Sequence, residues 1–197
     1  MTPVVRRASA EDLVSVVATT TAAFVGDPAW DFILGPGNLD GAAAFAEALV
    51  TARVERGTVW VADDGAAVAM WDRVGVEVAA GGRDPWPQFR PRAGEQVWAR
   101  LSAYDAAVKA AGPARPYWYL GVLATHPDRQ GEGLARAVLQ PGIEAAGAEA
   151  DGDGWDCWLE TSKPENKPFY AARGFTDVVP VSALDSPATW WLRRPRG

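Results

Sequence analysis

The most informative chemistry lies in a short polar loop. Residues 117–124 are a dense aromatic and aliphatic run, as in a central strand. Thr125-His126-Pro127-Asp128-Arg129 follows, and Gln130-Gly131-Glu132-Gly133-Leu134-Ala135 then opens a helix-forming stretch. Glycines let a backbone approach a ligand closely. Free N–H groups at a helix start bind anions, aided by the helix dipole, and a pyrophosphate is the natural guest. A Walker A loop is absent, because no Lys follows Gly131 and Gly133 until Lys163. A dinucleotide fingerprint fails as well. Arg136 stands where its third Gly belongs, and the motif lies past mid-chain, six residues after its strand.

The lone cysteine, Cys157, and the lone histidine, His126, invite a thiol-nucleophile reading. A reactive thiolate needs a helix N-terminus or cationic neighbours. Cys157 is read mid-strand between Asp156 and Trp158, as a buried and inert thiol. His126 precedes Pro127 and shapes the loop. No metal-ligating set is assigned.

What remains for the loop is the pattern Gln/Arg-x-x-Gly-x-Gly/Ala, met by Gln130, Gly133 and Ala135. It resembles the acyl-CoA pyrophosphate loop of the GNAT superfamily of N-acetyltransferases. Asn166-Lys167-Pro168-Phe169-Tyr170-Ala171-Ala172-Arg173-Gly174-Phe175 resembles the Asn…Phe-Tyr-x-x-x-Gly-Phe ending of that superfamily. Residues 59–69, residues 159–162 and the Pro141-Gly142 interruption resemble its puromycin-acetylating family. The resemblance fades over residues 28–40 and 72–113, where the acceptor is expected to bind.

The resemblance implies an α/β fold: a mixed, mostly antiparallel central sheet with helices on both faces. It implies one acetyltransferase domain over residues 1–197 and acetyl-CoA as cosubstrate. By it, Gln130, Gly131, Glu132, Gly133, Leu134 and Ala135 hold the cofactor, Asn166 bonds the pantetheine arm, and Tyr170 protonates the departing thiolate. A phenol near pKa 10 and a thiol near ~8.5 make that transfer feasible. A strand that splays from its neighbour frees N–H groups, so Val122 or Leu123 is expected to donate to the thioester oxygen. Glu160, on the next strand, is a candidate base, weighed against a structural or solvated strand-end charge. The implied reaction is direct attack, in a ternary complex, by a primary amine of a small molecule such as a puromycin-like aminoacyl compound. A protein or peptide N-acetyltransferase, and a CoA-binding module without turnover, are the alternatives.

These groups need elements to hold them. Residues 4–6 read as a strand. Ser9 and Asp12 form a capping-box pair ahead of a helix over residues 10–25, which Gly26-Asp27-Pro28 stops. A second helix spans residues 41–56. Strands at 58–63 and 66–73 flank a two-residue turn at Asp64-Gly65. Residues 74–94 read as irregular, and a third helix covers 95–111. After the strand at 117–124 comes a helix over 131–150, which Pro141 should bend. A strand (155–162), a short helix (165–173) and strands at 174–180 and 190–194 complete the chain. Trp86, Phe89, Trp98 and Trp118 are candidates for an aromatic acceptor wall. The 72–113 segment balances Asp72, Glu77, Asp84 and Glu95 with Arg73, Arg83, Arg90 and Arg92. It has no net acidity for a polycation and suits an aromatic amine better.

Composition narrows the partners. Asp and Glu number 25 against 19 Lys and Arg, a net charge of −6, which disfavours a nucleic acid. No apolar run approaches the ~20 residues of a membrane span, and no apolar signal core follows Arg6 and Arg7. One cysteine forms no intramolecular disulfide, which fits a reducing, cytoplasmic setting. A monomer and a homodimer are both compatible with the sequence.

Overall fold

The computed structural model describes residues 3–76, 84–114, 116–149, 154–181 and 186–196. Its strands form one sheet: β1 (Val5–Arg7), β2 (Val59–Ala62), β3 (Ala67–Val74), β4 (Tyr117–Thr125), β5 (Cys157–Thr161), β6 (Asp177–Val181) and β7 (Thr189–Arg194). Their order is β1-β2-β3-β4-β5-β7-β6. Among the described residues β4 and β5 are the one parallel pair, and every other neighbour is antiparallel. Helices α1 (Leu13–Ala23), α2 (Pro28–Leu34), α3 (Leu39–Glu55) and α4 (Trp86–Ala110) cover one face. Helices α5 (Leu134–Gly147) and α6 (Lys167–Ala171) cover the other. The mixed, mostly antiparallel sheet with helices on both faces is thus the observed fold.

Local chemistry explains several boundaries. The Ser9–Asp12 capping box forms: the Asp12 carboxylate accepts from the Ser9 N–H at 2.8 Å. Arg6 grips the same carboxylate at 2.7 Å through two nitrogens and holds it at a pKa of about 2. Asp27-Pro28 ends one helix, as expected, and also begins another. Asp27 Oδ1 accepts from Ala29 and Trp30 N–H at 3.0 and 3.2 Å, and Pro28 takes the first helical position.

Strand β4 carries the feature that shapes the site. Val68, Met70, Val122 and Ala124 pack toward α1 and α3. Trp118 and Leu120 pack toward α5. Strict alternation would put Leu120 and Val122 on one face. The register instead slips, with Trp71 opposite Leu120 and Met70 opposite Val122, so Gly121 is an extra residue and the parity reverses. Beyond this bulge β4 leaves its parallel partner. The two pair only from Trp118 to Leu120 against Cys157 to Leu159.

Four expectations need correction. The irregular stretch 74–94 contains helix from Trp86 onward, with Pro87 in its first turn, where proline is tolerated, and Pro91 inside it. Gly94 (φ +79°) makes the kink between the two helical segments of α4. Gly81-Gly82, Glu77 and Arg83 lie outside the described residues, as does Ala150 at the expected end of α5. The hairpin turn is longer than two residues. Ala62 pairs with Ala67, and Asp63, Asp64 and Gly65 all take positive φ. Trp118 does not join Trp86, Phe89 and Trp98: it packs on the α5 face, and its indole donates to Glu149. Cys157 begins β5 rather than standing mid-strand. It is buried, with its thiol pushed up to about 12 by burial.

Candidate functional site

A cavity of about 800 Å³ opens where β4 parts from β5. Val122, Leu123, Gln130, Gly131, Gly133, Leu134 and Ala135 line it, with Asn166, Tyr170 and Glu160. Of the candidate site residues only Glu132 is absent from the wall. Its carboxylate turns to Arg129 at 2.8 Å, and Arg129 also reaches Asp63 at 3.1 Å. That pair braces the loop against the β2–β3 turn. His126 shapes the loop as expected, its Nδ1 accepting from the Asp128 N–H at 3.4 Å.

Gly131 and Gly133 take φ of +83° and +81°, conformations that L side chains rarely adopt. The first intrahelical bond of α5 runs from Ala137 N–H to Gly133 C=O at 3.1 Å. The N–H groups of Leu134, Ala135 and Arg136 therefore have no intrahelical acceptor. The Leu134 side chain is core, so only its backbone is available to a ligand.

Ladder parity separates Val122 from Leu123. His126 N–H bonds Ala66 C=O, and Trp71 N–H bonds Thr58 C=O. Counting back in twos from His126, the backbone groups of Ala124 and Val122 face β3. The Leu123 N–H therefore points into the gap left by β5.

Glu160 is not a solvated strand-end charge. Its Oε1 accepts from Tyr119 Oη at 2.7 Å, and its Oε2 is shut off from water with no hydrogen-bond partner. Burial pushes this carboxyl up to about 7, with the Tyr119 hydrogen bond and nearby Arg53 holding it lower than burial alone would. Tyr170 is buried against Phe169 and Phe175. Burial raises its phenol well above the ordinary value, with Glu160 as a second cause.

The far end of the cavity is aromatic. Phe24, Trp30, Phe45, Trp86 and Tyr104 line it, with the carboxylates Asp27 and Asp105. Burial raises Asp27, whose carboxylate is engaged as the α2 cap. Asp105 is paired with Lys109 at 2.6 Å. Phe89 and Trp98 stand behind the wall, against Trp86. Trp30, Trp86, Tyr104 and Asp105 come from the two segments where the sequence resemblance fades, whereas Phe24, Asp27 and Phe45 lie outside them. The near end holds Arg136 and Arg173, and neither pairs with a carboxylate among the described residues.

Tyr119 and Arg53 were not singled out from the sequence. The available signal was charge complementarity between a helix and a strand. Arg53 lies one step from the Phe45–Leu49–Ala52 face, and its partner Asp72 stands on the returning hairpin strand.

No protein-family model matches the chain. Solved structures resemble it over their whole length. A Corynebacterium glutamicum protein described as histone acetyltransferase HPA2 and related acetyltransferase is 23% identical with a TM-score of 0.65, covering 100% of this chain and 98% of its own. Arylalkylamine N-acetyltransferase 2 from Aedes aegypti is 10% identical with a TM-score of 0.67, covering 100% of both chains. Polyamine N-acetyltransferase from Drosophila melanogaster, described as forming N-acetylagmatine, is 13% identical with a TM-score of 0.63, covering 98% and 100%. The chain has the fold of these acetyltransferases.

Proposed function

We propose that residues 1–197 form one catalytic domain that transfers an acetyl group from acetyl-CoA to a primary amine of a small molecule. One observation carries the reading: a carboxyl and a phenol, Glu160 and Tyr170, share one cavity beside a splayed strand that leads into a glycine-rich helix start. The residues present fit the cosubstrate. The loop from Gln130 to Ala135 offers N–H groups to a pyrophosphate, and Asn166 stands on the same wall for the pantetheine arm.

Bound acetyl-CoA supplies an activated thioester. The Leu123 N–H faces the gap, where a developing oxyanion is stabilised. Glu160, which lines the cavity with its carboxyl near 7, takes up a proton of the attacking ammonium. The amine nitrogen bonds to the acetyl carbon, the carbon–sulfur bond breaks, and the second proton of the nitrogen passes to the sulfur, which leaves as the thiol. Tyr170 donates to the departing sulfur. Burial keeps this phenol protonated and makes its full ionisation costly, so its main contribution is a hydrogen bond that strengthens as charge builds on sulfur.

The aromatic end of the cavity favours an amine that carries an aromatic or apolar group, and a puromycin-like aminoacyl compound belongs to that class. The reading is tested by acetyl-CoA consumption with puromycin, aromatic amino-acid amides, aminoglycosides and peptide N-termini side by side. Turnover of the aromatic amines ahead of the others is expected. A preference for aminoglycosides or peptide N-termini would overturn the acceptor class. Acetyl-CoA binding without turnover of any amine would leave only a CoA-binding module.

A further inference from the structure

Asp72, Tyr119 and Glu160 share one face of three successive strands. Asp72 stands opposite Tyr119 across β3 and β4. Tyr119 stands opposite Trp158 across β4 and β5, and Glu160 follows Trp158 by two residues, hence on the same face. Over this row lies the guanidinium of Arg53, from the last turn of α3. Its Nε and Nη2 donate to Asp72 Oδ2 at 2.9 and 2.5 Å, and its Nη1 donates to the Leu49 C=O at 2.8 Å.

Arg53 is also wedged into the bulge. A Cβ on Gly121 would stand 2.8 Å from Arg53 Nη2 and 3.1 Å from the Tyr119 ring. Only glycine leaves room for the cation and the phenol to meet there. Tyr119 spans from this contact to Glu160 Oε1.

We infer that Arg53 is a positioning residue for Glu160: its buried cation, steered by Asp72, keeps the carboxylate able to ionise, with Tyr119 as the hydrogen-bonded link. This rests on the reading of Glu160 as the proton acceptor. A carboxyl closed off from water is driven toward its neutral form unless a cation or a donor offsets the burial. The groups around it are few. Asp105 and Tyr104 of α4, Asp27 ahead of α2 and Tyr170 of α6 give it no positive charge. Lys163 pairs with Asp27 at 3.8 Å. Arg56 is turned to Asp72 at 3.4 Å. Among the cations of the described residues, Arg53 is the one whose charge favours the ionised Glu160, and Asp105 opposes it.

The experiment has two readouts. The first is the ¹³C chemical shift of the Glu160 carboxyl against pH, assigned with Glu160→Gln and free of any need for turnover. The second is the pH–rate profile of acetyl transfer to one fixed amine. Arg53→Gln should move both the titration and the acidic limb upward by about one pH unit. Turnover at pH 7 should then fall by about fivefold and recover at higher pH, with KM for acetyl-CoA unchanged. Arg53→Lys should restore the wild-type limb. Tyr119→Phe should move it upward without touching the ion pair. If Arg53→Gln unfolds because Asp72 keeps only its longer contact to Arg56, the Arg53→Gln/Asp72→Asn double variant removes both charges and should still show the upward shift. An unchanged Glu160 titration in a folded variant lacking Arg53 overturns the inference. A shifted titration in a protein that acetylates no amine would instead sustain the coupling and sink the proposed reaction.

Discussion

The indole of Trp71 fills the space that a side chain on Gly142 would need. A Cβ there would stand 2.8 Å from Cδ1 and closer still to Nε1. Trp71 is fully buried in β3, and α5 packs across β2, β3 and β4. Gly142 is thus what lets α5 lie close enough to the sheet for its N-terminus to meet the end of β4. Gly142→Ala should cost about 1–3 kcal/mol through overpacking. In urea the midpoint should fall with the m-value unchanged. An undiminished midpoint would mean that Trp71 can move aside freely.

Parts of this arrangement are legible in sequence because they depend on local backbone chemistry. The Gln130–Ala135 loop is one: positive φ, free N–H groups and the helix start are written in adjacent residues. The Ser9–Asp12 box is another. The environment of Glu160 is not local. Alternation groups it with Trp158 but does not say which face of the sheet that is, and Gly121 reverses the parity of the neighbouring strand. The same reversal separates Trp118 from the aromatic wall. Helix α2 was hidden because Asp27-Pro28 satisfies a stop and a start equally well. The first half of α4 was hidden by its prolines: Pro87 sits in the first turn, which tolerates it, but Pro91 lies inside the helix.

The Glu160 carboxyl predicts opposite pH responses for activity and stability. Its folded value of about 7 lies above the ordinary 4.5. The folded protein therefore holds this proton more tightly than the unfolded chain. Stability from this group is fully present below pH 4.5 and is lost as pH rises through 7. Activity needs the ionised form and should rise over the same interval. Glu160→Gln should lower turnover by roughly 10²–10⁴-fold, and at pH 8 it should raise stability by on the order of 2–3 kcal/mol. Asp12 runs the other way. Arg6 holds it at about 2, so its contribution is present at neutral pH and is lost as pH falls through that value. Thermal melts of wild type, Glu160→Gln and Asp12→Asn across about pH 1.5 to 9 separate the two. A Glu160→Gln protein no more stable than wild type at pH 8 would contradict the raised carboxyl.

Tyr170→Phe keeps the ring among Phe169 and Phe175 and removes only the hydroxyl. Its packing should survive, because the hydroxyl makes no hydrogen bond to the described residues. Turnover should fall by roughly 10²–10⁴-fold if the phenol assists the departing sulfur. Acetyl-CoA affinity, read by calorimetry, should stay within about twofold. Near-normal turnover would return Tyr170 to a packing role.

Arg136 and Arg173 stand together at the near end of the cavity. Burial, and then Arg136, depress the Arg173 guanidinium, and the Arg173 Nε is closed off from water without a partner. A chain with net charge −6 supplies neither of them with a carboxylate among the described residues. Two convergent cations beside free helix N–H groups are complementary to phosphates. Arg136→Gln should therefore weaken acetyl-CoA binding by about tenfold, and its affinity should fall less steeply with salt than that of wild type. Gly133→Asp should be harsher. It forces a side chain onto a φ of +81° and adds a negative charge where the pyrophosphate would lie. Binding should be lost while the circular dichroism spectrum stays native. Calorimetric titration of both variants at 50 and 300 mM salt is the check. Wild-type affinity in a folded Gly133→Asp protein would remove the loop from the cofactor site, and with it the ground for an acetyl-CoA-dependent reaction.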